Sequence, residues 1–547
     1  MISCLEITMM NLRDIEQKDS SKYRLIGRSV LSYRFIAPHD TTLYIGDIKK
    51  ITDRIKQITF FAKITDLSHD SNFTDPKWDT RVYAERFYGL GEDVFITVDA
   101  VPLGFVDAAG SFHKPRTIPS KFSTVEDPNA DDFHFLTEQM GEIEVGLMRS
   151  GRDVLHDVPV RIPSRVLPQH MGVFATTGMG KSNFMKTFCV SCMRERKFGI
   201  LIVDPHGEYV SGGRSSTGEP SSGLVHFTGG RDGLSIFTIR GENDRKKYSM
   251  NRLNVEYNDF KISDLSILYD LTAPQYDIIE AFDRTPGKDV IEFFIAIDPE
   301  IFPIKDPTAV GIREGSLAYQ IRNSMSGPVR VIKRHIENLV RGNSAFFRPQ
   351  GSSIPEIIMQ LHENRVVLID IPDMGERSEL FVLSVITRTI MERHRSEAHG
   401  FGIDEHRESS HQVLIAIEEA QRVLGIGISG TQIFRECAME GRKFGVGLCV
   451  ITQQPKNVDP RVLAQINTFV VMGLGDKHDR DIIASSAKQD LSRMDTEIQT
   501  LDRGEAIIST IGIPFPVSTR IHHFDTYVRD LNRVKKSSLS EGLEDNF

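Results

Sequence analysis

One short segment limits the fold of this chain more than any other. Residues 175–182 read Ala-Thr-Thr-Gly-Met-Gly-Lys-Ser, between a short apolar run at 171–174 and a helix-compatible stretch at 183–196. Glycines in such a loop let consecutive backbone N–H groups turn inward around a polyphosphate, at the N-terminus of the following helix. The segment therefore predicts a phosphate-binding loop that takes ATP or GTP; the alternative is an ordinary glycine-rich turn.

The polar residues of this loop have expected roles. Lys181 reaches the β- and γ-phosphates, and the Ser182 hydroxyl is suited to ligate Mg²⁺. The general pattern begins with glycine, whereas this chain has Ala175, which fits if that residue ends the strand with a negative φ. The residues predicted to bind the nucleotide are Thr177, Gly178, Met179, Gly180, Lys181, Ser182 and Asn183.

Composition limits the class of protein. A hydrophobic content of 40% and a charged content of 26% are those of a globular protein, and the net charge of −9 gives no support for nucleic-acid binding beyond a local basic channel. Five cysteines are too few for a disulfide framework, and the Cys189/Cys192 pair is predicted to pack within a helix. Glu6 interrupts any signal-peptide core and no long apolar run follows, so we expect a cytoplasmic protein without a membrane segment.

The N-terminal part is rich in short β-type runs. Turn-forming clusters such as Asp75-Pro and Asp127-Pro-Asn separate them. Many short strands with such punctuation are typical of a small barrel or sandwich. The predicted strands are 30–36, 42–45, 57–64, 94–98 and 141–148.

From Met171 onward, apolar runs alternate with helix-compatible segments. This alternation predicts an α/β core in which crossover helices connect a parallel sheet. Several runs are continuous Val, Ile and Leu, as expected for strands that are covered on both faces. The predicted strands are 171–174, 199–203, 366–371, 413–417, 446–452, 468–472 and 506–509.

The stretch between the second and third of these strands is too long for a single crossover. Helical periodicity within 259–341 indicates an inserted helical subdomain, and the Gly- and Ser-rich residues 212–233 indicate a mobile loop. The predicted organisation is an N-terminal β-barrel domain at 1–162, an ATPase core at 163–250 and 346–525, the helical insertion at 251–345 and a C-terminal tail at 526–547.

Hydrolysis also requires carboxylates near the phosphates. The run Val-Leu-Ile-Ala-Ile at 413–417 delivers Glu418 and Glu419 at the end of a strand, the edge where open α/β sheets bind ligands. We predict that Glu418 joins the Mg²⁺ shell through water and that Glu419 polarises the attacking water. Asp370, at the end of another apolar strand, is the alternative acid or a turn cap. Asp204 and Glu208 are predicted to lie just behind these groups, or else to cap a helix or turn.

Two further polar residues are candidates for catalysis. Gln453 follows the strand at 446–452 and can report whether the γ-phosphate is present, although it could instead satisfy turn backbone. Arg442 precedes the same strand and could stabilise the transition-state charge in a neighbouring copy, or form an exposed salt bridge. The G-x-G-x-x-G match at 425–430 follows a helical stretch instead of a strand, so we interpret it as a loop.

Five motifs taken together resemble the HerA family of hexameric DNA-translocating ATPases, which is related to FtsK. They are Ala-Thr-Thr-Gly-Met-Gly-Lys-Ser-Asn, Asp-Pro-His-Gly-Glu-Tyr, Ile-Glu-Glu-Ala-Gln, Glu-Gly-Arg-Lys-Phe-Gly-Val-Gly and Thr-Gln-Gln-Pro-Lys-Asn-Val-Asp-Pro. The resemblance covers about 158–523. It implies a RecA-like core with a helical insertion, a six-fold ring and ATP sites between subunits. The resemblance implies that Lys181 and Ser182 bind the nucleotide and its metal ion. It also implies that Glu418 and Glu419 act on the metal ion and on the attacking water, and that Arg442 is an arginine finger that acts on the neighbouring subunit.

Family members work beside a nuclease or another effector, in DNA repair or in defence against phage. We find no nuclease constellation in this chain, so a partner protein is expected to cut if DNA is cut. DNA, expected to be duplex, would contact channel loops without sequence preference. A nucleotide-gated ring scaffold and a type IV secretion or conjugation ATPase are the alternatives. The basic candidates for DNA contact are Arg245, Lys246, Lys247, Arg330, Lys333, Arg334 and Arg341.

Overall fold

The computed structural model describes residues 23–72, 94–121, 123–214, 218, 220–400, 411–428 and 431–533. In this part of the chain, nine strands and one α-helix precede residue 163. They are β1 (Arg24–Arg28), β2 (Tyr33–Pro38), β3 (Ile48–Asp53), β4 (Ile58–Ser71), β5 (Val94–Val106), β6 (Phe112–His113), β7 (Thr124–Glu126), α1 (His134–Gln139), β8 (Ile143–Ser150) and β9 (Asp153–Ile162).

The remaining described residues alternate between strands and helices. The strands are β10 (Met171–Phe174), β11 (Gly199–Asp204), β12 (Gly212–Arg214), β13 (Pro220–Ser222), β14 (Leu234–Thr238), β15 (Asn251–Arg252), β16 (Val255–Glu256), β17 (Phe347–Arg348), β18 (Val366–Asp370), β19 (Val413–Ile417), β20 (Val446–Thr452), β21 (Thr468–Met472), β22 (Glu505–Thr510) and β23 (Val517–Ile521). The helices are α2 (Lys181–Glu195), α3 (Glu242–Tyr248), α4 (Leu265–Leu268), α5 (Ala273–Ala281), α6 (Gly287–Ala296), α7 (Leu317–Gln320), α8 (Ser326–Gly342), α9 (Ile354–His362), α10 (Glu376–Gly400), α11 (Gln421–Leu424), α12 (Gln432–Glu440), α13 (Pro460–Leu463), α14 (Lys477–Ser486) and α15 (Asp495–Thr500).

The chain forms two compact units. The first comprises the described residues of Met1–Ile162 and Val471–Ile521, and the second those of Pro163–Val470 and His522–Phe547. The domain boundaries that the sequence predicts stay a prediction.

The first unit contains an antiparallel sheet in the order β1-β2-β5-β4-β3-β7, with β6 paired to β5. An isolated antiparallel bridge between Tyr23 and Val125 joins the two ends of this order. Tyr33, Phe35 and Phe60 are buried in the hydrophobic cluster that the sheet covers. The antiparallel sheet and its bridge support in part the small barrel that the sequence predicts.

The predicted strand at 42–45 is wrong. These residues lie outside the strands and lead into a turn, where the backbone N–H of Tyr44 donates to Asp47 Oδ2 over 3.0 Å and Gly46 has a φ of 91°. A glycine in the left-handed region reverses the chain, so the strand begins only after it, at Ile48. Of the apolar residues in this run, Leu43 is buried and Tyr44 is exposed.

A second antiparallel sheet of the first unit has the order β22-β23-β8-β9. The sequence predicts 506–509 as one strand of a parallel series, and this orientation is wrong. Only the short turn between Thr510 and Val517 joins β22 to β23, and a connection of that length can join only antiparallel neighbours.

Glu497 of α15 lies at the centre of a buried charge cluster in this first unit. Its carboxylate accepts hydrogen bonds from Arg149 Nη2 over 3.1 Å, from Lys63 Nζ over 3.4 Å and from Ser518 Oγ over 2.5 Å. Glu497, Lys63 and Arg149 are all buried. Burial alone would raise the pKa of Glu497, but these two cations and the hydroxyl lower it.

The second unit is built on a sheet in the order β15-β14-β18-β11-β19-β20-β10-β21. The six neighbouring pairs from β15 to β10 are parallel. Every residue of β10, β11, β18, β19 and β20 is buried, which explains their continuous apolar sequences. The α/β core with a parallel sheet is therefore confirmed, and β14 is a strand that the pattern did not reveal.

Residues between α3 and α9 are mainly helical. The buried side chains of α8 recur at Val329, Ile332, Ile336 and Leu339, the spacing of one helical face. Within the predicted loop at 212–233, β12 and β13 form a short antiparallel hairpin, and residues 215–217 and 219 lie outside the described residues. Of the predicted tail, 526–533 belong to a helical segment, and 534–547 are likewise outside the described residues.

Candidate active site

The phosphate-binding loop lies between β10 and α2, as predicted. β10 ends at Phe174, and the helix begins at Lys181 directly after Gly180. Gly178 has a φ of 83° and Gly180 a φ of 107°. Residues with a Cβ rarely adopt these values, so the loop needs glycine at both positions. Ala175 is buried as the residue that leaves the strand.

Lys181 lies across the mouth of this loop. Its Nζ atom donates a hydrogen bond to the carbonyl oxygen of Ala175 over 3.0 Å. Burial lowers the pKa of Lys181, while the charges of Glu419 and Glu418 act in the opposite direction. The loop lysine and the two predicted acids therefore share one electrostatic environment.

Glu418 and Glu419 diverge at the end of β19. The strand ends at Ile417, and Glu419 has a φ of 48°, in the left-handed region where residues other than glycine are uncommon. The backbone thus turns out of the sheet at the second acid. Both carboxylates come near Lys181 although adjacent residues of a continuing strand would point to opposite faces.

A chain of side-chain hydrogen bonds connects Glu419 to the phosphate-binding loop. Gln453 Nε2 donates to Glu419 Oε1 over 3.0 Å, and Thr177 Oγ1 donates to Gln453 Oε1 over 2.5 Å. On the other side, Gln421 Nε2 donates to Glu419 Oε2 over 2.5 Å, and Thr452 Oγ1 donates to Gln421 Oε1 over 2.6 Å. The predicted acid, the predicted amide and the loop are joined in one network.

Glu418 lies among other carboxylates. Burial, together with the charges of Asp204, Glu208 and Glu419, raises the pKa of Glu418 to about 7, against a hydrogen bond donated by the hydroxyl of Tyr209. Carboxylates collect here without an equal number of cations. Such an excess of negative charge favours a bound cation.

Asp204, at the end of β11, organises the turn that follows it. Its carboxylate accepts backbone N–H bonds from Glu208 over 3.1 Å, Tyr209 over 2.9 Å and Val210 over 3.3 Å. Burial raises the pKa of Asp204, and the neighbouring charge of Asp370 adds to this. Asp204 therefore fits both interpretations of the sequence, because it caps a turn and also lies beside Glu418. The Glu208 side chain, in contrast, is exposed.

Asp370, the alternative catalytic acid, is already neutralised. Arg240 donates to both of its oxygens, over 2.7 Å from Nε and 3.0 Å from Nη2, and Thr238 Oγ1 donates over 2.5 Å. A bidentate guanidinium with a hydroxyl occupies most of the acceptor sites of a carboxylate. This favours Glu418 and Glu419 as the acids of the site.

The donor set fits Mg²⁺ that is held largely by a nucleotide. Ser182 supplies a partly accessible hydroxyl and Glu418 a carboxylate, both oxygen ligands of the kind that Mg²⁺ prefers. Over the described ranges, no group of three or more His, Cys, Asp or Glu side chains is arranged to hold a metal ion. A site with few protein ligands matches a cation that keeps waters and binds substrate phosphates.

Arg442 lies at the opposite end of the strands from the loop. It is exposed in the short helical turn Gly441–Phe444 before β20, whereas Gln453 follows the other end of that strand. Seven strand residues separate the two ends by about 20 Å. Burial, with the charge of Arg442, lowers the pKa of His170 to about 4 at the start of β10. Arg442 therefore cannot reach the phosphate-binding loop of its own chain.

Asn183 contacts residues 522 and 524, in the C-terminal part of the described residues. Its Nδ2 donates to the carbonyl oxygen of His522 over 2.8 Å, and its Oδ1 accepts from the N–H of Phe524 over 2.9 Å. Thr187 Oγ1 donates to the same His522 carbonyl over 3.3 Å. The nucleotide contact predicted for Asn183 stays a prediction, and in this structure the side chain fastens residues 522–524 to α2.

Several of the residues predicted to bind DNA have bonding partners within the chain. Lys333 donates to the carbonyl oxygens of Ile295 and Ile297 over 2.9 and 2.8 Å, and Arg330 pairs with Glu300. Lys246 pairs with Glu242 over 2.7 Å. Side chains that are exposed include Lys247, Arg334 and Arg341.

Three residues of the site were missed from the sequence: Tyr209, Gln421 and Arg240. Tyr209 and Gln421 end two of the motifs quoted above, so their position was visible but their role was not. Arg240 follows β14, a strand that the pattern did not reveal, and carried no signal of its own. Each of the three bonds to a carboxylate at the ends of parallel strands.

The chain is similar to known proteins over most of its length. A family model described as the central domain of helicase HerA matches residues 143–390. The DNA double-strand break repair helicase HerA of Pyrococcus furiosus is 22% identical over 518 residues, covering 89% of this chain and 86% of that protein. A probable helicase of Methanocaldococcus jannaschii is 26% identical over 403 residues, covering 70% of this chain and 71% of its own length.

Among solved structures, the bacterial conjugative coupling protein TrwBdeltaN70 is similar, with a TM-score of 0.47 and 15% identity over 71% of this chain and 91% of that one. Over the described ranges, no helix combines the length and apolar character needed to cross a bilayer. The family model and the two archaeal relatives make the chain similar to HerA-type helicases, and together with the loop and its paired acids they support an ATP hydrolase.

Proposed function

We propose that this chain is a Mg²⁺-dependent ATPase that assembles into a six-membered ring and moves duplex DNA through its centre, together with a nuclease or another effector. The observation that carries the hydrolytic part is the bonded path from Thr177 through Gln453 to Glu419. The relatives named as DNA repair helicases support the action on DNA. The proposed domains are those predicted above, including a RecA-like core and an N-terminal barrel.

In this proposal each residue has one task. The loop from Thr177 to Ser182 holds the triphosphate, and Lys181 stabilises charge on the β- and γ-phosphates. Glu419 orients and polarises the attacking water, while Gln453 senses the γ-phosphate and passes its presence to Glu419. Ser182 and Glu418 are the protein ligands for Mg²⁺, directly and through water, and the ion would neutralise phosphate charge when bound.

Arg442 is proposed to act on the ATP of the neighbouring subunit. The distance along β20 excludes its own site, and a guanidinium that reaches a transferring phosphoryl group from a neighbour is an effective stabiliser of the transition state. Because each site then uses residues of two chains, hydrolysis requires assembly.

A mixing experiment tests this arrangement. Lys181→Ala and Arg442→Ala chains should each be inactive, and an equimolar mixture should recover about a quarter of the wild-type turnover per site, since half the chains have an intact pocket and half of their neighbours an intact Arg442. Lys443→Ala is the matched control because Lys443 is equally exposed beside Arg442. A mixture that stays inactive, in rings of confirmed mass, would contradict the shared site.

A ring that serves as a nucleotide-gated scaffold is the second candidate. The net charge of −9 and the pairing of Arg330, Lys333 and Lys246 within the chain favour it. ATP turnover measured with and without duplex DNA separates the two: translocation requires stimulation by DNA, whereas a scaffold would activate its effector even in a Glu419→Gln ring.

A further inference from the structure

Tyr209 ends the Asp-Pro-His-Gly-Glu-Tyr segment and has no assigned role in hydrolysis. Its side chain is 2% exposed, and its hydroxyl donates a hydrogen bond to Oε1 of Glu418. β11, which precedes this segment, is the sheet neighbour of β19, which precedes Glu418. The phenol therefore reaches from one strand end to the acid at the next.

The carboxylate of Asp204 holds the backbone around Tyr209. The three N–H bonds to the Asp204 carboxylate span Glu208 to Val210 and include the N–H of Tyr209 itself. Gly207 has a φ of 71°, and a Cβ there would lie 2.7 Å from Nη2 of Arg240. The turn thus has little freedom, and the hydroxyl of Tyr209 is presented at a defined position.

We propose that Tyr209 is a positioning residue that fixes the carboxylate of Glu418 for Mg²⁺. The hydroxyl occupies Oε1, which leaves Oε2 as the oxygen available to the ion or its water. This inference rests on the proposed role of Glu418. The hydroxyl is the donor of this hydrogen bond, because a phenol, with an ordinary pKa of about 10, carries its proton near neutral pH, whereas an ionised carboxylate can only accept. Loss of a group that orients a metal ligand in this way typically lowers metal affinity by about 10- to 100-fold.

Tyr209→Phe removes only the hydroxyl and keeps the buried ring. We expect the Mg²⁺ concentration for half-maximal ATP turnover to rise about 10- to 100-fold. Turnover at saturating Mg²⁺ and binding of ATP in the presence of EDTA should stay within about twofold of wild type. The matched control is Tyr527→Phe, since Tyr527 is also buried and its hydroxyl contacts Ser191 and Arg194 instead of a carboxylate of the site.

A second pair of variants gives an independent measurement. Asp204→Asn weakens the turn that carries Tyr209, and Glu208→Gln removes the same charge near Glu418 from an exposed side chain. We expect Asp204→Asn to shift the Mg²⁺ midpoint at least about fivefold more than Glu208→Gln. Combined with Tyr209→Phe, Asp204→Asn should add little, because both changes act through one hydrogen bond.

The possible results separate the inference from the function on which it rests. Wild-type chains without Mg²⁺-dependent turnover would overturn the proposed function. Active wild type with an unchanged Mg²⁺ midpoint in a folded Tyr209→Phe chain, or a fall in maximal turnover alone, would overturn the positioning role. If Tyr209→Phe lacks native circular dichroism, equal midpoints for Asp204→Asn and Glu208→Gln would overturn it instead.

Discussion

Two glutamates of this chain, the buried Glu497 and the half-buried Glu418, lie in opposite electrostatic settings. Glu497, in the first unit, contacts two cations and a hydroxyl, and these lower its pKa despite burial. Glu418, in the second unit, lies among Asp204, Glu208 and Glu419, and burial with these charges raises its pKa to about 7. Removing one partner of a buried charge cluster that is balanced within the chain destabilises the structure, whereas a charge left in excess marks where a ligand supplies the balance.

The largest effect is expected at Glu419, the acid that hydrogen bonds connect to the phosphate-binding loop through Gln453. Glu419→Gln should lower ATP turnover by about 10²- to 10⁴-fold, the usual contribution of a positioned general base, because the amide cannot polarise water as a carboxylate does. ATP binding should be retained, since the phosphate-binding loop is unchanged and the side-chain oxygen of Gln can still accept from one of the two amides, Gln453 or Gln421. Steady-state hydrolysis and binding of a fluorescent ATP analogue measure the two properties separately. Wild-type turnover in this variant would move the catalytic role to another acid.

At Glu497, whose charge is balanced by Lys63 and Arg149, the expected effect is a loss of stability. Glu497→Gln should lower the free energy of unfolding of the first unit by about 3–5 kcal/mol, because Lys63 and Arg149 remain buried without their carboxylate. Scanning calorimetry of the full chain measures the transition. Asp99→Asn, which breaks an exposed ion pair with Arg34 in the same unit, is the control and should leave the transition unchanged.

Acid provides a second readout of the same variant. A carboxylate with a lowered folded pKa contributes stability that is present above its unfolded pKa, about 4.5, and is lost as the pH falls through the folded value. Wild type should therefore lose stability below about pH 4.5 more steeply than Glu497→Gln. Parallel acid curves for the two proteins would show that Glu497 is not the balanced charge described here.

The smallest expected effect has the opposite sign. Glu418→Gln removes excess negative charge and keeps an oxygen to accept from Tyr209, so the free energy of unfolding without Mg²⁺ should rise by about 0.5–2 kcal/mol while Mg²⁺-dependent turnover falls. Thermal unfolding in EDTA and hydrolysis across a Mg²⁺ titration measure the two effects. A loss of stability comparable to that of Glu497→Gln would remove the contrast between the two glutamates.

Local sequence patterns were sufficient to predict those elements whose own residues form a distinctive pattern. The largely apolar runs that the sequence revealed are β10, β11, β18, β19, β20 and β21, and the loop from Gly178 to Ser182 follows the first of them. Such runs are recognisable because a strand buried on both faces requires apolar residues throughout. The run at 42–45 failed because Gly46 and Asp47 form a turn, and β22 failed in orientation because its partner β23 went unrecognised.

The sequence by itself determined the phosphate-binding loop, the parallel core and the pair of acids at the end of β19, because each depends on residues that are neighbours in the chain. Only the tertiary structure decided which buried charges are balanced. Arg240 neutralises Asp370 and Tyr209 reaches Glu418 across strand ends that lie far apart in the chain. Coulomb energy depends on distance in space, and a sequence without coordinates does not contain that distance.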